Sequence, residues 1–219
     1  MDFLLIVPVL LFSVVVHEVA HAWQALREGD PTARDLGRIT LNPLPHLDMV
    51  GSIIVPVVLH FLPGDFLFGW AKPVPVNPRN YRNYRAGDIR VSLAGIVSNL
   101  GLVAVCAALL ALMAMLGVAS PTTGGASGSL ATSIVLILTY GVFINLILAY
   151  FNLIPVPPLD GSHVLYHLLP PALAVRYRSM GRYGITLLFF TLVLFPEAFA
   201  MALSPVFLAF QWILAATAG

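Results

Sequence analysis

The chain of 219 residues is 59% hydrophobic before its 17 glycines are counted, 10% charged, and carries a net charge of +1. A soluble domain is about 45–50% apolar with glycine included and about 25% charged, so a water-soluble globule of this length could not hide its apolar surface, and lipid is the solvent for most of it. The near balance of 11 Lys and Arg against 10 Asp and Glu leaves no basic field for nucleic acid, and the single Cys106 excludes an internal disulfide and a four-cysteine metal site.

Residues 3–27 form the first apolar segment. Ala20-His21-Ala22 imitates a signal cleavage site, but Met1-Asp2 is acidic where a signal peptide is basic, so the segment is expected to stay as a membrane helix. It contains His17-Glu18-Val19-Ala20-His21. On a helix, positions i and i+4 share a face, so both imidazoles reach one ion, and Glu18 lies close enough to take a proton from a water without ligating. The pentapeptide alone is common. In a membrane helix, however, a central carboxylate costs about 2.5–3.5 kcal/mol, and ionisable groups there are functional by default.

Segment 49–63, with Gly51, Pro56 and Pro63, is short for a span and suits a re-entrant element. The basic residues fall in three blocks: Arg27, Arg34 and Arg38; Lys72, Arg79, Arg82, Arg85 and Arg90; and Arg176, Arg178 and Arg182. If 49–63 dips in and returns, all three blocks are cytoplasmic, as the positive-inside tendency favours, and the N-terminus is outside. Tyr81, Tyr84, Trp70 and Trp212 are read as interfacial anchors.

Residues 91–159 contain no Lys, Arg, Asp or Glu, and Gly124-Gly125-Ala126-Ser127-Gly128 marks a loop within them, which predicts helices near 90–116 and 130–152. After the second, Pro155, Pro157 and Pro158 prevent a regular helix. Irregular backbone at membrane depth is tolerated where protein or a water-filled cavity surrounds it. Asp160 at the edge of such a cavity fits a third, carboxylate ligand; capping a helix from Ser162 is a compatible second role. The stretch 183–219, interrupted by Pro196-Glu197 and Pro205, is one long helix with a tail or two short helices.

Two distant motifs, His17-Glu18-x-x-His21 and Asn152-x-x-Pro155-x-x-x-Leu159-Asp160-Gly161, make the chain resemble the site-2 protease family of intramembrane zinc metalloproteases. Gly37-Arg38-Ile39-Thr40-Leu41-Asn42-Pro43, the stretch Gly69 to Pro78, and Leu93-Ala94-Gly95-x-x-x-Asn99-Leu100 look like its compact bacterial branch, although Ile96 stands where proline usually follows the glycine. The resemblance, over residues 10–165, implies one zinc per chain held by His17, His21 and Asp160, with Glu18 activating the water and Asn152 helping to hold substrate or an oxyanion. It implies that 64–78 is a membrane-associated hairpin presenting unwound substrate. The implied substrates are transmembrane helices of single-pass proteins, commonly trimmed first by a site-1-type protease, in a bacterial cytoplasmic membrane. The family's optional PDZ and CBS domains are not expected within these 219 residues.

The expected fold is an all-α polytopic membrane protein: one domain over 1–219 with about five to six membrane helices or re-entrant segments and a small membrane-associated hairpin. Its metal-site core covers about 3–169 and a C-terminal helical segment 183–217. Two other functions are a membrane metal-ion transporter using His17, His21, Asp160, His163 and His167, and a catalytically silent relative that binds membrane helices. His163 and His167 have no adjoining carboxylate and read as interfacial or packing residues. His46 and His60 read as structural, and Pro171-Ala172-Leu173 as a chance match to aspartyl intramembrane proteases.

Overall fold

The computed structural model describes residues 3–54, 72–118 and 130–217. Among these, the chain is helical: α1 (Phe3–Glu28), α2 (Thr32–Asp35), α3 (Tyr84–Met115), α4 (Leu130–Leu153), α5 (Asp160–Leu168), α6 (Pro171–Ser179), α7 (Gly181–Leu194), α8 (Pro196–Ala202) and α9 (Ser204–Thr217). Helices α1, α3 and α4 are long and apolar enough to cross a membrane, with mean hydropathies of 2.1, 2.4 and 2.3 in their most apolar stretches, and α9 is a shorter apolar helix.

The ends of these helices follow from local chemistry. Helix α1 stops at Gly29, whose φ of +113° is available to glycine and strained for other residues. Helix α3 begins earlier than its uncharged stretch because Asn83 caps it, accepting from the Ala86 N–H at 3.0 Å. Helix α4 ends just before the Pro155 to Pro158 run, as the sequence predicts. The C-terminal stretch is neither one helix nor two but three, α7, α8 and α9. Pro196 opens α8 and Pro205 lies in the first turn of α9, where a missing N–H costs nothing, so both prolines start helices. Of segment 49–63, residues Met49–Ile54 form a short π-helix; the rest, and residues 64–71 of the expected hairpin, lie outside the described residues.

The chain divides into two compact units, Val14–Gly95 and Met1–Ser13 with Ile96–Gly219. In the first, Ala22, Ala33 and Val74 form a core edged by Ile39 and Val76, and Ala25, Tyr81 and Val91 form another. Tyr81 is therefore not an interfacial anchor: it is 7% exposed, and Gly87 leaves the room its ring fills, since a Cβ there would fall 2.9 Å from the ring. Tyr84 and Trp212 are exposed, as anchors are, and Trp70 lies outside the described residues.

Charges in this unit are held at the end of α1. Glu28 accepts from Gln24 and Arg90, and the fully buried Asp30 accepts from the Thr32 and Asn77 N–H groups, the Thr32 hydroxyl and the Asn80 amide. Burial pushes the Asp30 carboxyl up, but these hydrogen bonds outweigh it and hold the group below its ordinary range.

In the other unit, Val103, Leu110, Val135 and Val142 form the core, with Phe210, Ile213 and Leu214 of α9 against it. A buried polar chain crosses this apolar packing. The Asn99 amide donates to Asn145 Oδ1 at 2.7 Å, and the Asn145 amide donates to Ser13 Oγ at 2.9 Å and to the Gly141 carbonyl at 2.8 Å. In lipid, where water cannot satisfy these groups, such mutual pairing fixes helix register.

Candidate metal centre

His17 and His21 lie one turn apart on α1, as their spacing requires, and their Nε2 atoms are 2.9 Å apart. The rings meet edge to face, with centroids 4.5 Å apart at 85°. Two facing nitrogens this close repel unless a proton or a cation lies between them.

The tautomer of His21 follows from its other nitrogen, Nδ1, which is 2.7 Å from the Val91 carbonyl oxygen. A carbonyl only accepts, so Nδ1 carries the hydrogen and the neutral ring turns an Nε2 lone pair toward His17. Metal-binding histidines are oriented in this way, through a hydrogen bond from the nitrogen that does not ligate.

One turn along α3 from Val91, Gly95 faces the pair. A Cβ there would lie 2.5 Å from His17 Cε1, 2.5 Å from His21 Nε2 and 2.7 Å from His17 Nδ1. Only the absence of a side chain lets α3 come this close. Two imidazoles, one of them held by the Val91 carbonyl, in a cradle that a methyl group would fill suit a zinc ion, which accepts imidazole nitrogen.

Glu18 lies beside the pair in sequence, and its Oε2 accepts from the Val74 N–H at 2.8 Å. Residues 72–77, outside any helix, form a strap tied at three places. The Lys72 N–H donates to the His46 carbonyl at 2.9 Å, Val74 donates to Glu18, and the Asn77 N–H donates to Asp30 Oδ2 at 2.6 Å. Arg38 steadies the first tie, donating to the Lys72 carbonyl at 3.0 Å. Buried His46, with Nε2 3.0 Å from the Thr40 carbonyl, serves structure as the sequence indicates; His60 lies outside the described residues.

Asp160 is the first residue of α5, where helix N–H groups favour a carboxylate. The adjacent Gly161 sets how α5 leaves α4: a Cβ there would collide with the Leu153 carbonyl oxygen. The Asn152 amide donates to the Leu148 carbonyl at 2.9 Å, so one of its two hydrogens is engaged within α4. His163 and His167 follow Asp160 along α5, and the His167 ring packs 4.9 Å from Tyr166. His17, His21 and Asp160 are each a possible metal donor: the two histidines offer ring nitrogens on α1, and the aspartate offers a carboxylate oxygen on α5.

Three site residues carry no role in the sequence reading: Val91 and Val74, which act through backbone groups, and Gly95, which acts through empty space. For Gly95 a signal existed, because it sits in Leu93-Ala94-Gly95. The backbone donors leave no residue-type signature.

The model of peptidase family M50 matches residues 112–195. A Bacillus subtilis (strain 168) protein named "Putative zinc metalloprotease YwhC" is 37% identical over 179 residues, covering 82% of this chain and 75% of the relative. A Mycolicibacterium smegmatis protein named "Putative zinc metalloprotease Rip2" is 30% identical over 169 residues, covering 77% of this chain and 59% of the relative. No solved structure matches.

Proposed function

The chain belongs to peptidase family M50, the site-2 protease family of zinc metalloproteases, and from that premise we propose that it is an intramembrane endopeptidase cleaving transmembrane helices of single-pass proteins. The observation that carries this reading is the imidazole pair, its Nε2 atoms 2.9 Å apart and one ring fixed by the Val91 carbonyl, with a carboxylate held beside it in sequence. His17, His21 and Asp160 are the proposed ligands of one zinc ion per chain. When bound, zinc supplies polarisation of the scissile carbonyl and acidification of a water toward a pKa of about 7.

The remaining chemistry belongs to side chains. Glu18 takes the proton of the attacking water and hands it to the departing amide nitrogen, so that a neutral amine leaves. The second amide hydrogen of Asn152 is the proposed donor to the substrate carbonyl as negative charge develops on it. A helix shields its own peptide bonds, so the substrate unwinds before attack, beside the strap.

The wider setting belongs to the same proposal: one domain of five to six membrane elements, with the three basic blocks on the cytoplasmic side of a bacterial cytoplasmic membrane. Its partners would be the lipid bilayer, the substrate and an upstream site-1-type protease. The test is Glu18→Gln on purified, zinc-loaded protein with a single-pass reporter. Cleavage is expected to fall by about 10²–10⁴-fold with zinc retained. Undiminished cleavage would remove Glu18 from the mechanism.

A further inference from the structure

The strap at 72–77 has an arrangement of backbone donors that bears on the proposed base. Pro73 and Pro75 have no N–H, so Val74 supplies the one backbone donor of the Pro73-Val74-Pro75 run, and it goes to Glu18 Oε2 at 2.8 Å. Val74 is itself buried against Ala22, which lies one turn beyond Glu18 on α1, and against Ala33. The ties at Lys72 and Asn77, to the His46 carbonyl and to Asp30, hold the strap on either side independently of Glu18. A fixed donor thus meets the carboxylate that the chemistry must aim.

We propose that Val74 is a positioning residue for the general base: its N–H pins Glu18 Oε2, so that Oε1 is the oxygen that takes the proton. The pairing also works in reverse, since Glu18 registers the strap, and with it any extended peptide that lies along the strap, to the base. This rests on the reading of Glu18 as the base, and the test separates the two because its main readout needs no turnover.

The experiment is hydrogen–deuterium exchange of the full-length chain in detergent, following peptides that cover 72–77, in wild type, Glu18→Gln and Glu18→Ala. Glutamine keeps an oxygen acceptor and alanine does not. Val74 exchange is expected to stay at the wild-type rate in Glu18→Gln and to rise about tenfold or more in Glu18→Ala, with peptides from α4 unchanged. Equal Val74 exchange in the two variants overturns the proposal.

A second arm compares Val74→Pro, which deletes the donor, with Val74→Ala, which keeps it and trims the side chain. The kcat of Val74→Pro is expected to fall about 10²-fold below that of Val74→Ala on a single-pass reporter, with similar KM and zinc content. Equal kcat in these two also overturns it. If instead Glu18→Gln still cleaves, the base assignment fails while the exchange result stands on its own.

Discussion

Gly95 is where a single added carbon should separate metal binding from folding. In Gly95→Ala the new methyl carbon would sit 2.5 Å from both His17 Cε1 and His21 Nε2. Carbon contacts are comfortable at about 3.5–4.0 Å, so the imidazoles or α3 must shift by about 1 Å. Two stability effects oppose each other. Alanine in a helix interior is favoured over glycine by about 1 kcal/mol, and overpacking costs about 1–3 kcal/mol, so the metal-free protein should lose no more than about 2 kcal/mol. Zinc affinity has no such compensation. Because the methyl meets His21 Nε2 itself and the Cε1–Nδ1 edge of the His17 ring, affinity should fall about 10–100-fold, the range found when groups orienting metal ligands are disturbed. The assay is zinc competition against a chelator, with thermal unfolding of the metal-free form alongside. A variant that binds zinc within twofold of wild type would refute the claim that this cradle sets the imidazoles.

Two further outcomes follow. Replacing Asn145, 2% exposed, by leucine removes its bonds to Asn99 and Ser13; it should cost about 1–2 kcal/mol in unfolding measured in bicelles, and a stabilised variant would contradict the network's role. The Asp30 carboxyl is held below its reference value of 3.8, so its contribution to stability is complete above about pH 4 and is lost as pH falls through the depressed value. Asp30→Asn should therefore lower stability at neutral pH and flatten its decline in acid, read from unfolding midpoints; an unchanged acid slope would contradict this.

Much of the helical framework and the imidazole pair could be read from the chain because both depend on short-range periodicity. Apolar runs bounded by glycine, proline or charge became α1, α3 and α4, and the four-residue spacing of His17 and His21 put their rings on one face. The proline run after Asn152 marks a helix end, whereas Pro196 and Pro205, which read as interruptions in the sequence, are helix starts. Proline removes a donor in either case, and only position within the turn decides which role it takes.

The place of Tyr81 is not legible in the sequence because an aromatic residue beside charges suits an interface as well as a core, and the room left by Gly87 is a tertiary fact. Val74 and Val91 could not be found from residue type at all. Their contributions are an N–H and a carbonyl, which nearly every residue has, placed by how the strap and α3 meet α1.

The proposed zinc ligands are His17, His21 and Asp160. X-ray absorption at the zinc edge, on wild type and Asp160→Asn loaded with one equivalent of zinc, tests this assignment most directly. Two imidazole nitrogens and a carboxylate oxygen are expected in the wild type, with the carboxylate contribution and much of the affinity lost in the variant. Identical ligation and affinity in the two proteins would contradict it.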